Sequence, residues 1–341
     1  MTRHFVTLSA VAWLFVSAAG AEEAAAPIPV SPDNFVRAES DLFLGNIVRG
    51  EGALGQFSHH REFPPIDEQR IIRLNRDTLY SAAVFDLDAG PVTITLPDAG
   101  DRFLSLQVID EDQYTPLVTY DAGPVTLTRE EIGTRYVLAG IRILVNPADP
   151  ADVAAVHALQ DAVTVDQPGG PGSFEVPTWD KASQDKVRDA LLTLATTLPD
   201  TRGAFGKRGE VDPVRRLVQA AAAWGGNPDE DALYLSVTPR ENDGETVYRL
   251  TVGDVPVNGF WSISVYDAKG YYSKNDLDAY TLSNLTAGKD AEGNVEIQFG
   301  GCDGTLPNCL PITPGWNYLV RLYRPRAEIL GGTWSFPEPT Q

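Results

Sequence analysis

The chain has 341 residues, enough for two domains, and its 43% hydrophobic and 22% charged content supports a packed core. A formal net charge of -20 excludes nucleic acid or an anionic membrane surface as partner, because phosphate recognition needs clustered Lys and Arg. Thirty glycines and 25 prolines favour turns and short strands over a helical bundle.

Residues 1–21 read as a secretory signal peptide. Arg3 and His4 precede an apolar run from Phe5 to Val16, and Ala19-Gly20-Ala21 offers small residues for cleavage. That run is too short to span a bilayer, and no later stretch reaches about 18 uninterrupted apolar residues. The expectation is a periplasmic or secreted protein, cut near Ala21, with no membrane span. The rest divides into a β domain over 28–148 with a leading helix, a helical connector over 149–226 and a second β domain over 227–341.

The leading helix is expected to take Ser31 as cap and Pro32 at its first position. Phe35, Leu42 and Ile47 lie roughly along one face, and Gly50-Glu51-Gly52 ends it. A loop from Gly55 to Pro65 follows, carrying His59-His60-Arg61-Glu62. From Ile71 to Val145 the pattern is β: Val92, Ile94 and Leu96 alternate with Thr93 and Thr95, and Leu104, Leu106 and Val108 repeat the period of two. Turn clusters separate these runs with no helix between them, which predicts antiparallel sandwich-like domains.

Asp149-Pro150 opens a helix through Val153, Val156, Leu159 and Val163. Val187, Leu191, Leu194 and Leu198 mark a second, and Asp212-Pro213 starts a third that stops at Gly225-Gly226. Their apolar stripes predict packing against the β units. Strands return from Leu233 to Phe336, and Asn258-Gly259 reads as a hairpin turn between Val247–Val257 and Phe260–Tyr266. Cys302 and Cys309, close together across Gly and Pro turn residues, are expected to form a local disulfide.

Four stretches carry a family resemblance: Asn75-Arg76-Asp77-Thr78-Leu79-Tyr80-Ser81, Gly133-Thr134-Arg135-Tyr136, Phe260-Trp261-Ser262-Ile263-Ser264-Val265-Tyr266 and Gly315-Trp316-Asn317-Tyr318. With them the chain resembles bacterial exported proteins that combine domain of unknown function 1254 (N-terminal) with domain of unknown function 1214 (C-terminal), over about Ser31 to Phe336. The resemblance implies two jelly-roll-like β domains with helical additions, and no established activity.

Several constellations have chemistry to offer. Arg76, Asp77 and Tyr80 at a strand start could form a polar floor, with Arg76 on a substrate anion, Asp77 as base and Tyr80 as hydroxyl donor; the competing reading is a buried pair that fixes the strand. His60 and Glu62, two apart on an extended segment, would point the same way and could join Asp77 in acid–base work or a zinc site, against a loop of internal hydrogen bonds. Trp261, Tyr266, Trp316 and Tyr318 could stack against a sugar or another flat ligand, or simply fill a core. On the strand Phe260–Tyr266, Trp261, Ile263 and Val265 share one face, while Phe260, Ser262, Ser264 and Tyr266 share the other. Acidic loops at Asp110-Glu111-Asp112 and Asp229-Glu230-Asp231 raise calcium but match no EF-hand, so no cofactor is assigned. No nucleophile elbow, phosphate loop or dinucleotide fingerprint is present in the sequence.

The first expectation is therefore an exported protein binding a small-molecule or oligosaccharide ligand in a cleft between two β domains. The alternatives are a periplasmic hydrolase or lyase using Arg76, Asp77, His60 and Glu62, and a structural or assembly subunit of the cell envelope.

Overall fold

A computed structural model describes residues 26–69 and 72–341, so the signal-peptide reading of residues 1–21 lies outside the described residues. The protein is mainly β with helical insertions. In chain order its elements are α1 (Phe35–Glu51), β1 (Ser58–His59), β2 (Thr78–Asp86), β3 (Val92–Leu96), β4 (Leu104–Asp110), β5 (Leu117–Thr119), β6 (Gly123–Leu127), α2 (Arg129–Ile132), β7 (Tyr136–Leu144), α3 (Pro150–Asp161), β8 (Thr164–Asp166), α4 (Lys181–Ala195) and α5 (Pro213–Ala222). They continue as β9 (Ala232–Val237), β10 (Tyr248–Val252), β11 (Trp261–Tyr266), β12 (Thr281–Ser283), β13 (Val295–Phe299), β14 (Cys309–Leu310), β15 (Asn317–Tyr323) and α6 (Ala327–Leu330).

The N-terminal half packs a five-stranded sheet, β1-β2-β7-β4-β5, on a three-stranded sheet, β6-β3-β8. Alternation does the sorting: Val92, Ile94 and Leu96 point inward to meet Leu79, Phe85, Leu106, Ile141 and Ile143, and Val156 of α3 joins that core. The C-terminal half repeats the plan with β12-β11-β15-β9 and β10-β13-β14 around Trp261, Ile263, Phe299, Trp316 and Val320. Pairing is antiparallel except for β13 with β14, a two-residue parallel pair held beside the Cys302–Cys309 disulfide.

The connector has two destinations. α3 closes the N-terminal core, while α4 and α5 dock on α1 through Phe35, Leu191 and Val218. The far side of α1 lays Leu44 against Val84, Ile109 and Leu138 on the outer face of the five-stranded sheet. Asp149, Asp180 and Asp212 each cap the helix that follows by accepting a backbone N–H from its first turn.

Three local expectations are corrected. α1 begins at Phe35, with Asn34 as cap residue, because residues 32–34 form a turn in which Asn34 Oδ1 accepts the Ser31 N–H at 2.8 Å. Ser58 and His59 are a short edge strand on β2, so the loop of 55–65 is partly paired. Asn258-Gly259 is not a hairpin turn. β10 pairs with β13 and β11 with β12 and β15, so residues 253–260 cross from one sheet to the other. Gly259 is required there by close approach: its N–H bonds Tyr323 O at 3.1 Å, and a Cβ would stand 2.7 Å from that same oxygen.

Candidate functional site

The outer face of the five-stranded sheet meets the outer face of the four-stranded sheet, and a polar, aromatic layer is buried between them. Strand parity decides its contents. Leu79, Ile141 and Leu106 face one core, so Tyr80, Arg142 and Ser105, aligned across β2, β7 and β4, face the layer. From the other side Ser262, Arg321 and Tyr234 align across β11, β15 and β9. All six residues of β11 are buried, because the face bearing Ser262, Ser264 and Tyr266 is covered by the N-terminal half.

Asp77 anchors one end of the layer. Its Oδ2 accepts from Ser262 Oγ at 2.5 Å and its Oδ1 from Thr281 Oγ1 at 2.8 Å, and Arg321 lies 3.9 Å away. Arg321 also donates to Ser264 Oγ at 2.7 Å, Tyr266 Oη at 2.8 Å and Arg73 O at 2.8 Å. Burial pushes the Asp77 carboxyl above its usual range, opposed by Arg321 and the two hydroxyls. Both carboxylate oxygens are engaged, which makes this a closed link between the halves.

Arg142 occupies the other end. One nitrogen donates to Gln107 Oε1 at 2.7 Å, and its guanidinium carbon lies 5.4 Å from the centre of the Tyr80 ring. Asn75 Nδ2 donates to Tyr80 Oη at 2.9 Å and to Tyr323 Oη at 3.2 Å, while Asn227 Nδ2 donates to Tyr234 Oη at 2.8 Å.

A separate cleft of about 270 Å³ opens where the two halves and the connector meet. Leu117 and Val118 of β5, Phe205 and Lys207 of the connector, and Pro228 and Asp231 at the entry to the second sandwich line it. Asp229 accepts the Gly203 N–H at 3.0 Å, and Asp231 accepts from Tyr120 Oη at 2.8 Å. Burial raises both carboxyls above their usual range.

The residues singled out from sequence are held in separate places. Asp77 pairs with Arg321 and not with Arg76, which donates to Pro64 O at 2.8 Å and lies over Phe63. His60 bonds Glu51 at 2.9 Å, His59 bonds Ser81 at 2.7 Å, and Glu62 is exposed. Among the described residues no group of three or more His, Cys, Asp or Glu is arranged to hold a metal ion. Trp261, Trp316 and Tyr318 lie in the second sandwich's core, Trp316 and Tyr318 both stacked on Phe299, whereas Tyr266 faces the layer. Arg142 and Arg321 lie outside the candidates that the sequence motifs supply. Each had a legible signal, a lone cation in an apolar strand: Ile141-Arg142-Ile143 and Val320-Arg321-Leu322.

Residues 54–128 match the family described as "Protein of unknown function (DUF1254)" and residues 236–327 match "Protein of unknown function (DUF1214)". The chain thus combines these two domains, N-terminal and C-terminal. The crystal structure of the VPA0106 protein from Vibrio parahaemolyticus superposes with a TM-score of 0.69 at 17% identity, covering 89% of this chain and 96% of that one, which is a likeness of fold. A putative uncharacterised protein from Burkholderia cenocepacia gives a TM-score of 0.49 at 11% identity over 90% of this chain and 87% of its own. No curated protein matches the chain. No helix among the described residues is long and apolar enough to cross a membrane.

Proposed function

We propose that this protein, combining the two domains of unknown function, is an exported binding protein that takes a small organic ligand where its halves and helical connector meet. The observation that carries the reading is the cleft of about 270 Å³, whose walls come from residues 115–118, 203–210 and 228–231. Concave sites with apolar walls and a few polar groups are the usual form of small-molecule sites, and they favour domain junctions. Leu117, Val118 and Phe205 supply the apolar wall. Lys207 is outnumbered there by Glu210, Asp229, Glu230 and Asp231, so the ligand is neutral and hydroxyl-rich, or carries an amine.

The hydrolase or lyase alternative gains nothing from the geometry, since Arg76, Asp77, His60 and Glu62 do not converge on one point. The test is a thermal-shift screen of the mature chain against neutral sugars and amines, repeated on Leu117→Arg. A ligand of the native state raises the melting temperature. The expected result is a shift in the wild-type protein that disappears in the blocked variant, with circular dichroism unchanged. A panel that moves nothing, or a shift that survives Leu117→Arg, removes the reading.

A further inference from the structure

The two inter-sheet arginines are treated differently by their surroundings. Arg321 has Asp77 and a set of oxygens close by. Arg142 has no carboxylate oxygen within 4 Å among the described residues, and the Asp231 carboxylate acts on it only from farther off. Beyond Gln107, its acceptors are Asn227 Oδ1 and Gly225 O, both at 3.5 Å, the limit for a hydrogen bond. A guanidinium carries five N–H donors and stays charged in proteins, so this half-buried one, with one short acceptor bond, to Gln107, keeps donors free for an anion.

The groups around it are donors as well. The hydroxyls of Tyr80, Tyr323 and Tyr234 each accept a bond from an amide nitrogen, Asn75 for the first two and Asn227 for the third. Each keeps its own proton to give, and none has a protein acceptor among the described residues. Burial holds the Tyr323 phenol well above its usual range, so it remains a donor at neutral pH.

The layer is also thin at this point. In the row beside Tyr80–Arg142, Ala82 pairs with Gly140, and Gly140 with Gln107. Both small residues keep accessible surface, as do Tyr80, Arg142 and Tyr234. A Cβ built on Gly140 would meet nothing nearer than Gln107 O at 3.9 Å. The surface left on Ala82, Gly140, Tyr80 and Arg142 lies along one face of the sheet, beside the guanidinium.

We propose that Arg142, with the hydroxyls of Tyr80, Tyr234 and Tyr323, forms an anion site between the sheets that takes a small monocarboxylate. One guanidinium balances one negative charge, and the uncharged hydroxyls complete the acceptor's coordination. A dianionic phosphate or sulfate would keep an uncompensated charge inside the layer, which is costly. The ligand's remaining atoms lie on the Ala82–Gly140 floor. The site is distinct from the junction cleft: residues 225–227 form a wall with Phe205 on one side and Gln107 and Arg142 on the other.

The experiment is calorimetric titration of the mature chain with benzoate, D-glucuronate and inorganic sulfate, on wild type, Arg142→Met and Gly140→Leu, plus a crystal soaked with 4-bromobenzoate. The expected result is that at least one carboxylate binds more tightly than sulfate, and that both substitutions weaken it tenfold or more. The bromine anomalous peak then lies beside Arg142. Gly140→Leu leaves every polar group in place and fills the floor, so it decides the matter if Arg142→Met does not fold. Absence of carboxylate binding, tighter binding of sulfate, affinity unchanged in the variant tested, or a bromine peak beside Lys207 overturns the proposal. The last outcome would bear on the junction cleft instead, so the two readings fail separately.

Discussion

Asp77 and Arg321, from opposite halves of the chain, approach to 3.9 Å in the buried layer, with Ser262 and Thr281 holding the carboxylate between them. Removing one partner leaves a buried charge uncompensated, whereas removing both leaves a packing problem alone. Asp77→Ala is therefore expected to lower stability by about 3–5 kcal/mol. Adding Arg321→Met should recover most of that loss. Urea denaturation of the two variants checks this; a double variant no better than the single one would show that the ion pair is not what joins the halves.

Asp41 of α1 sets a pH dependence. Trp179 Nε1 donates to its Oδ2 at 2.8 Å, Oδ1 is buried with no partner, and burial raises the carboxyl from 3.8 to about 6. A carboxyl whose folded pKa exceeds its unfolded value contributes stability in full below the unfolded pKa, and the contribution is lost as pH rises through the folded one. The window here is about pH 4 to 6. Asp41→Asn keeps the bond to Trp179 and removes the charge, so it should raise stability at pH 8 by about 2–3 kcal/mol and by almost nothing at pH 3. Urea midpoints at the two pH values provide the measurement, and an equal effect at both would contradict the assignment.

The disulfide offers an independent check. Cys302 and Cys309 are bonded across a short loop. Closing a loop of this size removes about 2 kcal/mol of unfolded-state entropy. Thiol labelling of the unreduced mature protein should find no reactive cysteine, and the Cys302→Ser, Cys309→Ser double variant should unfold at lower urea by about that amount. Two labelled thiols in the native protein would refute the bond.

How much was legible follows from which forces are local. The inward alternation of Val92, Ile94 and Leu96 and the Asp-Pro helix starts are local signals, and both appear as read. The division of β11 into two faces was also legible, but the fate of its polar face was not. Ser262 and Ser264 look like groove or solvent residues until a second sheet covers them, and the covering sheet is remote in sequence. Lone polar groups in apolar strands, such as Arg142 and Arg321, were the available sign of that burial. His60 looked available for chemistry because Glu51, its partner at the end of α1, is not predictable from spacing.

Asn258-Gly259 shows the same limit and gives the last prediction. An Asn-Gly pair reports a local bend, and a hairpin and a crossing between sheets use it equally well. The two differ in what the glycine is for. A hairpin glycine is needed for its backbone angles, whereas Gly259 is needed because Tyr323 O and the Phe103 ring lie 2.7 and 3.2 Å from where a Cβ would be. Gly259→Ala must displace β15 or the Phe103 ring and should cost about 1–3 kcal/mol, as overpacking does. Gly140→Ala is the matched control: in β7 its Cβ would meet nothing nearer than Gln107 O at 3.9 Å, so it should leave stability unchanged or raise it by up to about 1 kcal/mol. Urea denaturation of both decides. Equal effects would mean that close approach to Tyr323 is not what fixes the glycine, and that the crossing of residues 253–260 is held by other contacts.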